Sequence, residues 1–474
     1  MARFNANKTN LSNVVSTVNL AGGPAVQLNH VDEFVSMALS SLVQDQFYRS
    51  SKDTLTRLEV LFSNVDPKFA AKVALFARNE YGMRSISHVI ASLIAKKVKG
   101  ETWTKSFFNK IVVRPDDMAE IITLIGEKEA LPNSVKKGFA SAFARFNDYS
   151  LAKYRMSDKS VSLVDIMNLV HPKRTEAIDQ LAKNKLRSFD TWEVEISEAG
   201  GDVEKKSEAW EDLIMKGKLG YLALIRNINN ILKAGVSDSA FANLILQITN
   251  EEKIRESKVF PYTIFTAIKF MESENKLAKS MLTKALEEAL DKSVSNVPDF
   301  PGRTLCVSDV SSSMNSPMST MSKMTYMEVG ALTAAIMVRK TGADLMAFAN
   351  EAAYIEDAPE YTTTKLVEKI LKLEVGAGTN FASIFAKANK GYDRILIFSD
   401  MQDWMSGTHA QKWAEKYSPN VKVFSFDLSG YGTAAFDGKN HHQLFGFSTR
   451  MFDFIKTLEV DKRALIKTIE AIEL

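Results

Sequence analysis

Residues 303–313 read RTLCVSDVSSS, a short apolar run that ends abruptly in the pattern Asp309-x-Ser311-x-Ser313. One carboxylate and two hydroxyls at alternate positions just after a strand can converge on one point, and hard oxygen ligands of this kind suit Mg²⁺ or Mn²⁺. Three ligands are too few to enclose an ion, so a coordination position would stay open for a partner. The pattern occurs by chance in roughly one chain in ten of this length, so its meaning depends on the sequence around it.

The sequence downstream of this segment alternates buried strands with helices. Three segments read as buried strands: residues 343–349, 393–399 and 421–426. Their alternation with helical stretches predicts parallel βαβ units in an open, doubly wound α/β sheet, where ligands gather at the carboxyl ends of the strands. Asp400 directly follows one of these strands, and Thr379 lies in the loop before another helix. Both residues are therefore expected at the sheet edge that Asp309 occupies.

These oxygen-bearing residues resemble the metal-ion-dependent adhesion site of von Willebrand factor A domains. The set comprises Asp309, Ser311, Ser313, Thr379 and Asp400. The resemblance implies direct ligation by the two serines and the threonine, with the aspartates acting partly through water. A weakly held divalent cation, Mg²⁺ or Mn²⁺, is the expected cofactor. The alternative is a degenerate A-type domain that keeps the serines but binds no metal.

The sequence before the A-type segment looks almost wholly helical. From residue 30 to residue 295, apolar residues recur at three- and four-residue spacing. Many consecutive short amphipathic helices predict helical-hairpin repeats of the HEAT kind. We therefore expect a multidomain chain, with an all-α repeat domain over residues 1–298 and an α/β, von Willebrand factor A-like domain over residues 299–474.

The amino-acid composition indicates the cellular compartment of the protein. The chain is 45% hydrophobic and 25% charged, as is usual for soluble globular proteins, and it lacks a run of 18 uncharged apolar residues. No membrane span is expected, and the first residues lack the apolar region of an export signal. Cys306 is the only cysteine and lies in a predicted buried strand, which favours a small core residue in a reducing environment. These features predict a cytoplasmic protein.

Positive charge is concentrated in the helical part, although the formal net charge is only +3. Residues 51–110 contain 11 Lys and Arg against 5 Asp and Glu, and a second basic cluster extends over residues 136–174. In both clusters aromatic residues are interleaved with the cations, a mixture that suits phosphate neutralisation and base stacking. For any single residue the alternative is a solvated helix face.

The order of the two parts resembles the Ro autoantigen family, whose helical part is the TROVE module. Three local segments support the resemblance and occur in the family's order: VKKGFASAF at 135–143, LAKYR at 151–155 and LVDIMNLVHPK at 163–173. The family implies a ring of helical repeats closed by the A-type domain. It also implies that small structured non-coding RNAs (Y RNAs) bind the outer face, and that single-stranded ends of misfolded RNAs pass through the basic hole. The RNA contacts implied are Lys136, Lys137, Lys153, Tyr154, Arg155, His171, Arg78, Arg84 and His88.

Two classes of function remain open. The first is a non-enzymatic RNA-binding protein in RNA quality control, with a nuclease or helicase as a further partner and without DNA or membrane partners. The second is a metal-dependent protein-interaction scaffold without RNA. Catalysis is not expected, because the sequence contains neither a Gly-rich phosphate loop with its lysine nor an H-E-x-x-H motif. The adjacent residues His441 and His442 are predicted to lie on the surface.

Overall fold

A computed structural model describes residues 16–474 except 127–128, 155–160, 184, 187–191, 300, 320–321, 389, 408–409, 413–415, 417–420 and 449. Polar side chains begin many of its helices by accepting a backbone N–H, as Asn29, Ser50 and Asp66 do. The helices before the sheet are α1 (His30–Ser40), α2 (Ser51–Phe62), α3 (Pro67–Glu80), α4 (Arg84–Lys97), α5 (Thr104–Lys110), α6 (Asp117–Ile125), α7 (Asn133–Phe143), α8 (Asp148–Lys153), α9 (Leu163–Val170), α10 (Glu176–Ala182), α11 (Trp192–Glu198), α12 (Val203–Met215), α13 (Tyr221–Arg226), α14 (Ile228–Ala234), α15 (Asp238–Ile248), α16 (Glu251–Ser257), α17 (Pro261–Lys269) and α18 (Lys276–Ser293).

The carboxyl-terminal part is a mixed α/β unit. Its elements are β3 (Thr304–Asp309), β4 (Pro317–Ser319), β5 (Ser322–Thr325), α19 (Tyr326–Thr341), β6 (Asp344–Phe348), β7 (Ala352–Ile355), α20 (Thr363–Leu371), α21 (Phe381–Lys387), β8 (Arg394–Ser399), β9 (Lys422–Asp427), β10 (Thr433–Ala434), β11 (His441–Phe445), α22 (Arg450–Leu458) and α23 (Ala464–Glu470). Six strands form one sheet in the order β11-β9-β8-β3-β6-β7. Only the edge strand β7 pairs antiparallel in this sheet. The predicted doubly wound sheet is confirmed.

The helical part starts and ends against the same α/β unit. At its start, α1 packs on β11 and α3 packs on α23. At its end, α18 packs on α20, where the Thr363 hydroxyl donates a 2.6 Å hydrogen bond to Asp291. Successive helices between these ends pack as neighbours, such as α3 with α4 and α5 with α7. This arrangement confirms the predicted helical repeats closed by an α/β domain, while the boundary at residues 298 and 299 stays a prediction.

Buried apolar side chains form a core that joins the two parts. One cluster unites the helices from α12 to α18 with one face of the sheet, and another unites the helices from α1 to α10 with Phe445 and the inward residues of α23. The second face of the sheet packs mainly on α21. Cys306 is fully buried in β3, and burial raises the pKa of its thiol, which confirms the core position expected from the sequence.

Two short strands at the start of the described chain were not expected. They are β1 (Ser16–Val18) and β2 (Pro24–Gln27), which pair antiparallel with each other. β2 also pairs with β10, so that Val26 lies opposite Ala434. Residues 16–27 are therefore part of the α/β unit in space. No described helix is both long enough and apolar enough to cross a bilayer.

Candidate metal site and RNA-binding surface

The parallel pairing of β3 with β8 brings two carboxylates to one edge of the sheet. Ser308 lies opposite Phe398, so the next residues along the two strands are Asp309 and Ser399, and Asp400 follows directly. The side chains of Asp309 and Asp400 are buried. The sequence prediction that both carboxylates lie at the carboxyl ends of neighbouring strands therefore matches the observed register.

The loop after β3 folds back so that its hydroxyls face these carboxylates. The Ser311 backbone N–H donates to Asp309 Oδ1 over 2.8 Å, and the Ser399 hydroxyl donates to Asp309 Oδ2 over 2.5 Å. The hydroxyl oxygens of Ser311 and Ser313 lie 3.3 Å apart, and the Ser313 side chain is close enough to Asp400 to lower the pKa of that carboxyl. Both serines are buried. Four of the predicted ligands thus surround one small volume.

The fifth predicted ligand, Thr379, is buried in a loop that packs against this volume. The carbonyl of Ala377, two residues before Thr379, accepts a 2.9 Å hydrogen bond from the Ser312 N–H, and the Thr379 carbonyl accepts one of 3.1 Å from the Met405 N–H. These backbone contacts connect the loop to both carboxylate-bearing segments. The structure therefore brings all five residues to one edge of the sheet, although their roles as ligands stay predictions.

The electrostatics of this edge suit a divalent cation. Burial raises the pKa of both Asp309 and Asp400, and the negative charge of Asp400 raises that of Asp309 further. A cation between them would offset both effects, and the surrounding hydroxyls would supply neutral oxygens. Within the described ranges no group of three or more His, Cys, Asp or Glu residues could hold a metal. The candidate site therefore depends on its hydroxyls, and the residues present fit a hard cation such as Mg²⁺.

Replacing Asp309 with Asn should abolish the effect of Mg²⁺ or Mn²⁺ on thermal unfolding. The metal-free variant should unfold at the same temperature as the metal-free wild type or higher, because the substitution removes one of two buried, mutually repelling charges. Thermal melts with Mg²⁺ and with chelator measure both quantities. Asp427→Asn is the matched control, since Asp427 is also buried at a strand end but is held by the N–H groups of Ser429 and Gly430. A wild-type melt that ignores both Mg²⁺ and chelator would contradict the metal role.

The segment after Asp400 forms the rim of this site. Gln402 and Asp403 are buried, whereas Trp404 is half exposed. A turn near the start of the chain docks on them, because the Asn19 side-chain amide donates to the Asp403 carbonyl over 2.6 Å. Gly23 is required in this turn, since a Cβ there would lie 2.0 Å from the same carbonyl oxygen. The rim is therefore built partly by the turn at residues 19–23.

Three of the predicted RNA contacts converge on a buried acid, Asp117. Arg78 lies 3.0 Å from its Oδ2, Arg84 lies 2.8 Å from its Oδ1, and His88 Nε2 lies 3.3 Å from Oδ1. His88 is itself buried, and its Nδ1 lies 2.8 Å from Glu120. In this structure these residues hold α3, α4 and α6 together. Direct contact of Arg78, Arg84 or His88 with RNA stays a prediction.

The charges of this cluster shift two pKa values in opposite directions. Burial raises the pKa of Asp117, but hydrogen bonds from His88 and the Arg114 backbone and the charge of Arg78 outweigh it, so the pKa lies well below its usual range. Burial lowers the pKa of His88, but hydrogen bonds to Asp117 and Glu120 outweigh it and raise the pKa above 6.5. The two carboxylates therefore favour the charged form of His88 over the neutral form.

The raised pKa of His88 predicts a pH-dependent contribution to stability. A group whose pKa is higher in the folded state stabilises the fold fully below its unfolded pKa, about 6.5, and loses that contribution as the pH rises through the folded value. The difference in free energy of unfolding between wild type and His88→Gln should therefore be larger at about pH 5.5 than at about pH 8.5. Denaturant titrations at both values measure it, and an equal or reversed difference would contradict the charged pair.

A second part of the predicted RNA surface connects to the first through Arg114. The Arg114 guanidinium lies 4.6 Å from the ring centroid of Tyr154 and shares Asp116 with Arg84. Lys153 is exposed but pairs with Glu193 over 2.6 Å. Sequence reasoning missed Arg114 and Asp117, because these partners come close only after the helices pack. Most of the cations in this connected network already have acidic partners.

The predicted RNA contacts on α7 differ from those around Asp117, because their amines have no acidic partner among the described residues. Lys137 is exposed and Lys136 is partly exposed, and within the described ranges neither side-chain amine has an ion pair or a hydrogen bond. Gly138 lets α7 cross α5 closely, since a Cβ there would lie 2.9 Å from the Lys105 carbonyl oxygen. Lys105, on α5 at this crossing, is also exposed. His171 is exposed at the left-handed end of α9, and Arg155 lies outside the described residues.

The surface position predicted for His441 and His442 is wrong. Both side chains are buried, and α1 packs on β11. His441 Nε2 hydrogen-bonds the Ser425 hydroxyl over 2.8 Å, and the His442 ring stacks on Phe424. Burial lowers the pKa of both residues, to about 4 for His442, so both imidazoles are neutral at pH 7.

Comparisons with known proteins agree with this architecture. The TROVE domain family model matches residues 28–184 and 181–340. Telomerase protein component 1 of Mus musculus is 22% identical over 346 residues, which cover 53% of this chain and 13% of the mouse protein. The protein of that name from Rattus norvegicus is 20% identical over 293 residues, covering 43% of this chain and 11% of its own length. The chain thus spans only a small part of these relatives.

A solved structure shows the same fold over nearly the whole chain. It is the crystal structure of the Deinococcus radiodurans RO (RSR) protein, with a TM-score of 0.63 at 18% sequence identity, and the match covers 90% of this chain and 98% of that one. The two family-model matches cover well over half of the sequence. The chain therefore belongs to the TROVE domain family, the family of Ro-type RNA-binding proteins.

Proposed function

We propose that this protein binds RNA without catalysing a reaction on it. The substrates would be small structured non-coding RNAs of the Y RNA class and the single-stranded ends of misfolded RNAs, in cytoplasmic RNA quality control. A nuclease or helicase would then act on the bound RNA. The observation that carries the proposal is the patch of available lysines at the crossing of α5 and α7, in a chain of the TROVE family.

The ion pairs assign different roles to the two basic regions: the cations around Asp117 stabilise the fold, and the exposed lysines bind RNA. Around Asp117 the cations are neutralised by acids of the same fold, so they contribute little free positive charge to RNA. Lys105, Lys136 and Lys137 are partly or fully exposed and can neutralise phosphates while releasing counterions. The aromatic ring of Tyr154, partly exposed beside Arg114, offers a stacking surface for an unpaired base.

The test is whether the purified full-length chain carries RNA and prefers it to DNA. Excess absorbance at 260 nm that RNase removes is the expected first result. After RNase treatment, a hairpin RNA with a single-stranded tail should bind more tightly than a DNA of the same sequence, because A-form geometry and 2′-hydroxyls distinguish RNA. Equal affinity for both, with no RNA retained during purification, would contradict the proposal.

The α/β unit would contribute a divalent cation site, with Mg²⁺ or Mn²⁺ held by Asp309, Ser311, Ser313, Thr379 and Asp400. When bound, the cation supplies positive charge between two buried carboxylates and additional coordination positions. The scaffold alternative requires one of these positions to accept a carboxylate from another protein. If an Asp309→Asn variant bound RNA with wild-type affinity, RNA binding and metal binding would reside in separate parts of the chain.

A further inference from the structure

We infer that Gln402 is a positioning residue of the proposed cation site, through which residues 16–27 set the orientation of the Asp400 carboxylate. The inference rests on the proposed metal site and adds a means of regulating it. Gln402 is not one of the predicted ligands, and its side chain is fully buried two residues after Asp400. A change in the docking of residues 16–27 would then change the affinity of the site for Mg²⁺ or Mn²⁺.

Both ends of the Gln402 side-chain amide bind groups from different parts of the chain. Its oxygen accepts a 2.9 Å hydrogen bond from the Leu20 N–H. Its nitrogen donates to the Asp400 carbonyl over 3.2 Å and to the Thr433 hydroxyl over 3.3 Å. Thr433 belongs to β10, which pairs with β2. The amide therefore joins the segment that carries Asp400 to the small sheet formed by β1, β2 and β10.

Internal hydrogen bonds give the turn at residues 19–23 a fixed shape. The side-chain oxygen of Asn19 accepts hydrogen bonds of 3.0 and 2.9 Å from two N–H groups of the turn, and Asn19 is buried. The amide nitrogen of the same side chain donates to the Asp403 carbonyl over 2.6 Å. The turn therefore contacts two consecutive residues, Gln402 and Asp403, of the segment that follows Asp400.

Backbone strain shows that the segment after Asp400 depends on contacts of this kind. Met401 has a φ of 61°, in the left-handed region that residues other than glycine seldom adopt. Such a conformation persists only where the surrounding structure determines it. Met401 lies between Asp400 and Gln402, and the Gln402 N–H donates to Asp400 Oδ1 over 3.2 Å. Loss of the side-chain contacts of Gln402 would therefore let this backbone relax and would move the Asp400 carboxylate.

The test uses the full-length chain and Mn²⁺, followed by calorimetry and by electron paramagnetic resonance. Gln402→Met keeps the length of the side chain but removes its amide, and it should weaken Mn²⁺ binding by about tenfold. The resonance spectrum of bound Mn²⁺ should also change, because that spectrum reports the symmetry of the ligands around the ion. A variant that was only less stable would keep the wild-type spectrum.

Gln411→Met is the matched control. The Gln411 side-chain amide donates to the Asp437 carbonyl over 2.7 Å, and its oxygen accepts from the Asp437 N–H over 2.9 Å. This glutamine thus also binds backbone groups at both ends of its amide, but they belong to the loop before β11. The control should bind Mn²⁺ with the wild-type affinity and the wild-type spectrum.

A second measurement follows residues 16–27 themselves. Because coupling between two sites is reciprocal, Mn²⁺ should slow hydrogen exchange of these residues in the wild type but not in Gln402→Met. If that variant failed to fold, Asn19→Asp would replace it, since it removes the donor to the Asp403 carbonyl and should also weaken Mn²⁺ binding.

Two results would contradict the inference in distinguishable ways. Wild-type chain that binds no Mn²⁺ would overturn the metal site and this inference together. Unchanged Mn²⁺ affinity and spectrum in the variant, without protection of residues 16–27 in the wild type, would leave the metal site standing and overturn the role of Gln402.

Discussion

Replacing Asp117 with Asn is expected to lower the free energy of unfolding by about 3–5 kcal/mol. The carboxylate is fully buried and faces Arg78, Arg84 and His88, and its Oδ2 also accepts hydrogen bonds of 2.9 Å from the N–H groups of Val113 and Arg114. Asn has nearly the same shape but removes the charge and replaces one acceptor oxygen with a donor. Arg78, which is 10% exposed and has Asp117 as its acidic partner among the described residues, would then lack its counter-charge, which is the costly way to break an ion pair.

Denaturant unfolding of the full-length chain measures this loss. Glu120→Gln is the control, because Glu120 contacts Arg84 and His88 at 2.9 and 2.8 Å but its side chain is 45% exposed, so solvent can replace the interaction. The control should lose no more than about 1 kcal/mol. If both variants were equally stable, the cluster around Asp117 would not hold α3, α4 and α6 together.

The metal site could be predicted from sequence because its geometry depends on a few local rules. Strands that alternate with helices must run parallel, and their carboxyl ends must meet at one edge. From this rule alone Asp309 and Asp400 are expected beside each other, and the register of β3 and β8 agrees. Thr379 follows a helix instead of a strand, so its predicted role depends on the resemblance to the A-type metal site. Whether the site binds a cation is a separate question that only measurement answers.

Long-range pairing accounts for most of what sequence reasoning missed. β2 pairs with β10 across about 400 residues, and nothing in the short segment Pro24–Gln27 identifies its partner. His441 and His442 looked like surface residues because their polar type suggested a loop, but both are buried, and α1, about 400 residues earlier in the chain, packs on β11.

The basic clusters show a second limit of prediction from sequence. Counting Lys and Arg correctly identified charged segments, but the count cannot distinguish a cation that is available to RNA from one that already has a partner. Arg84 contacts three acids, namely Asp116, Asp117 and Glu120. These acids lie more than 30 residues further along the chain and become neighbours when α4 packs on α6. Exposure and pairing, which only the folded chain reveals, therefore decide which basic residues are candidates for phosphate contacts.

Substitution of the lysines on α7 tests the distinction between cations that are available to RNA and cations that already have an acidic partner. Changing Lys136 and Lys137 together to Ala should weaken the binding of a structured RNA by roughly 20-fold at 0.15 M salt and reduce the slope of log affinity against log salt by about 1.5, because two phosphate contacts are lost. Folding should be unaffected, since alanine favours a helix and both amines lack partners among the described residues. Lys153→Ala is the control, because that lysine is already paired with Glu193 and should change the affinity less. Filter binding across a salt series measures both quantities. Full affinity with an unchanged slope in the double variant would mean that RNA binds elsewhere on this protein.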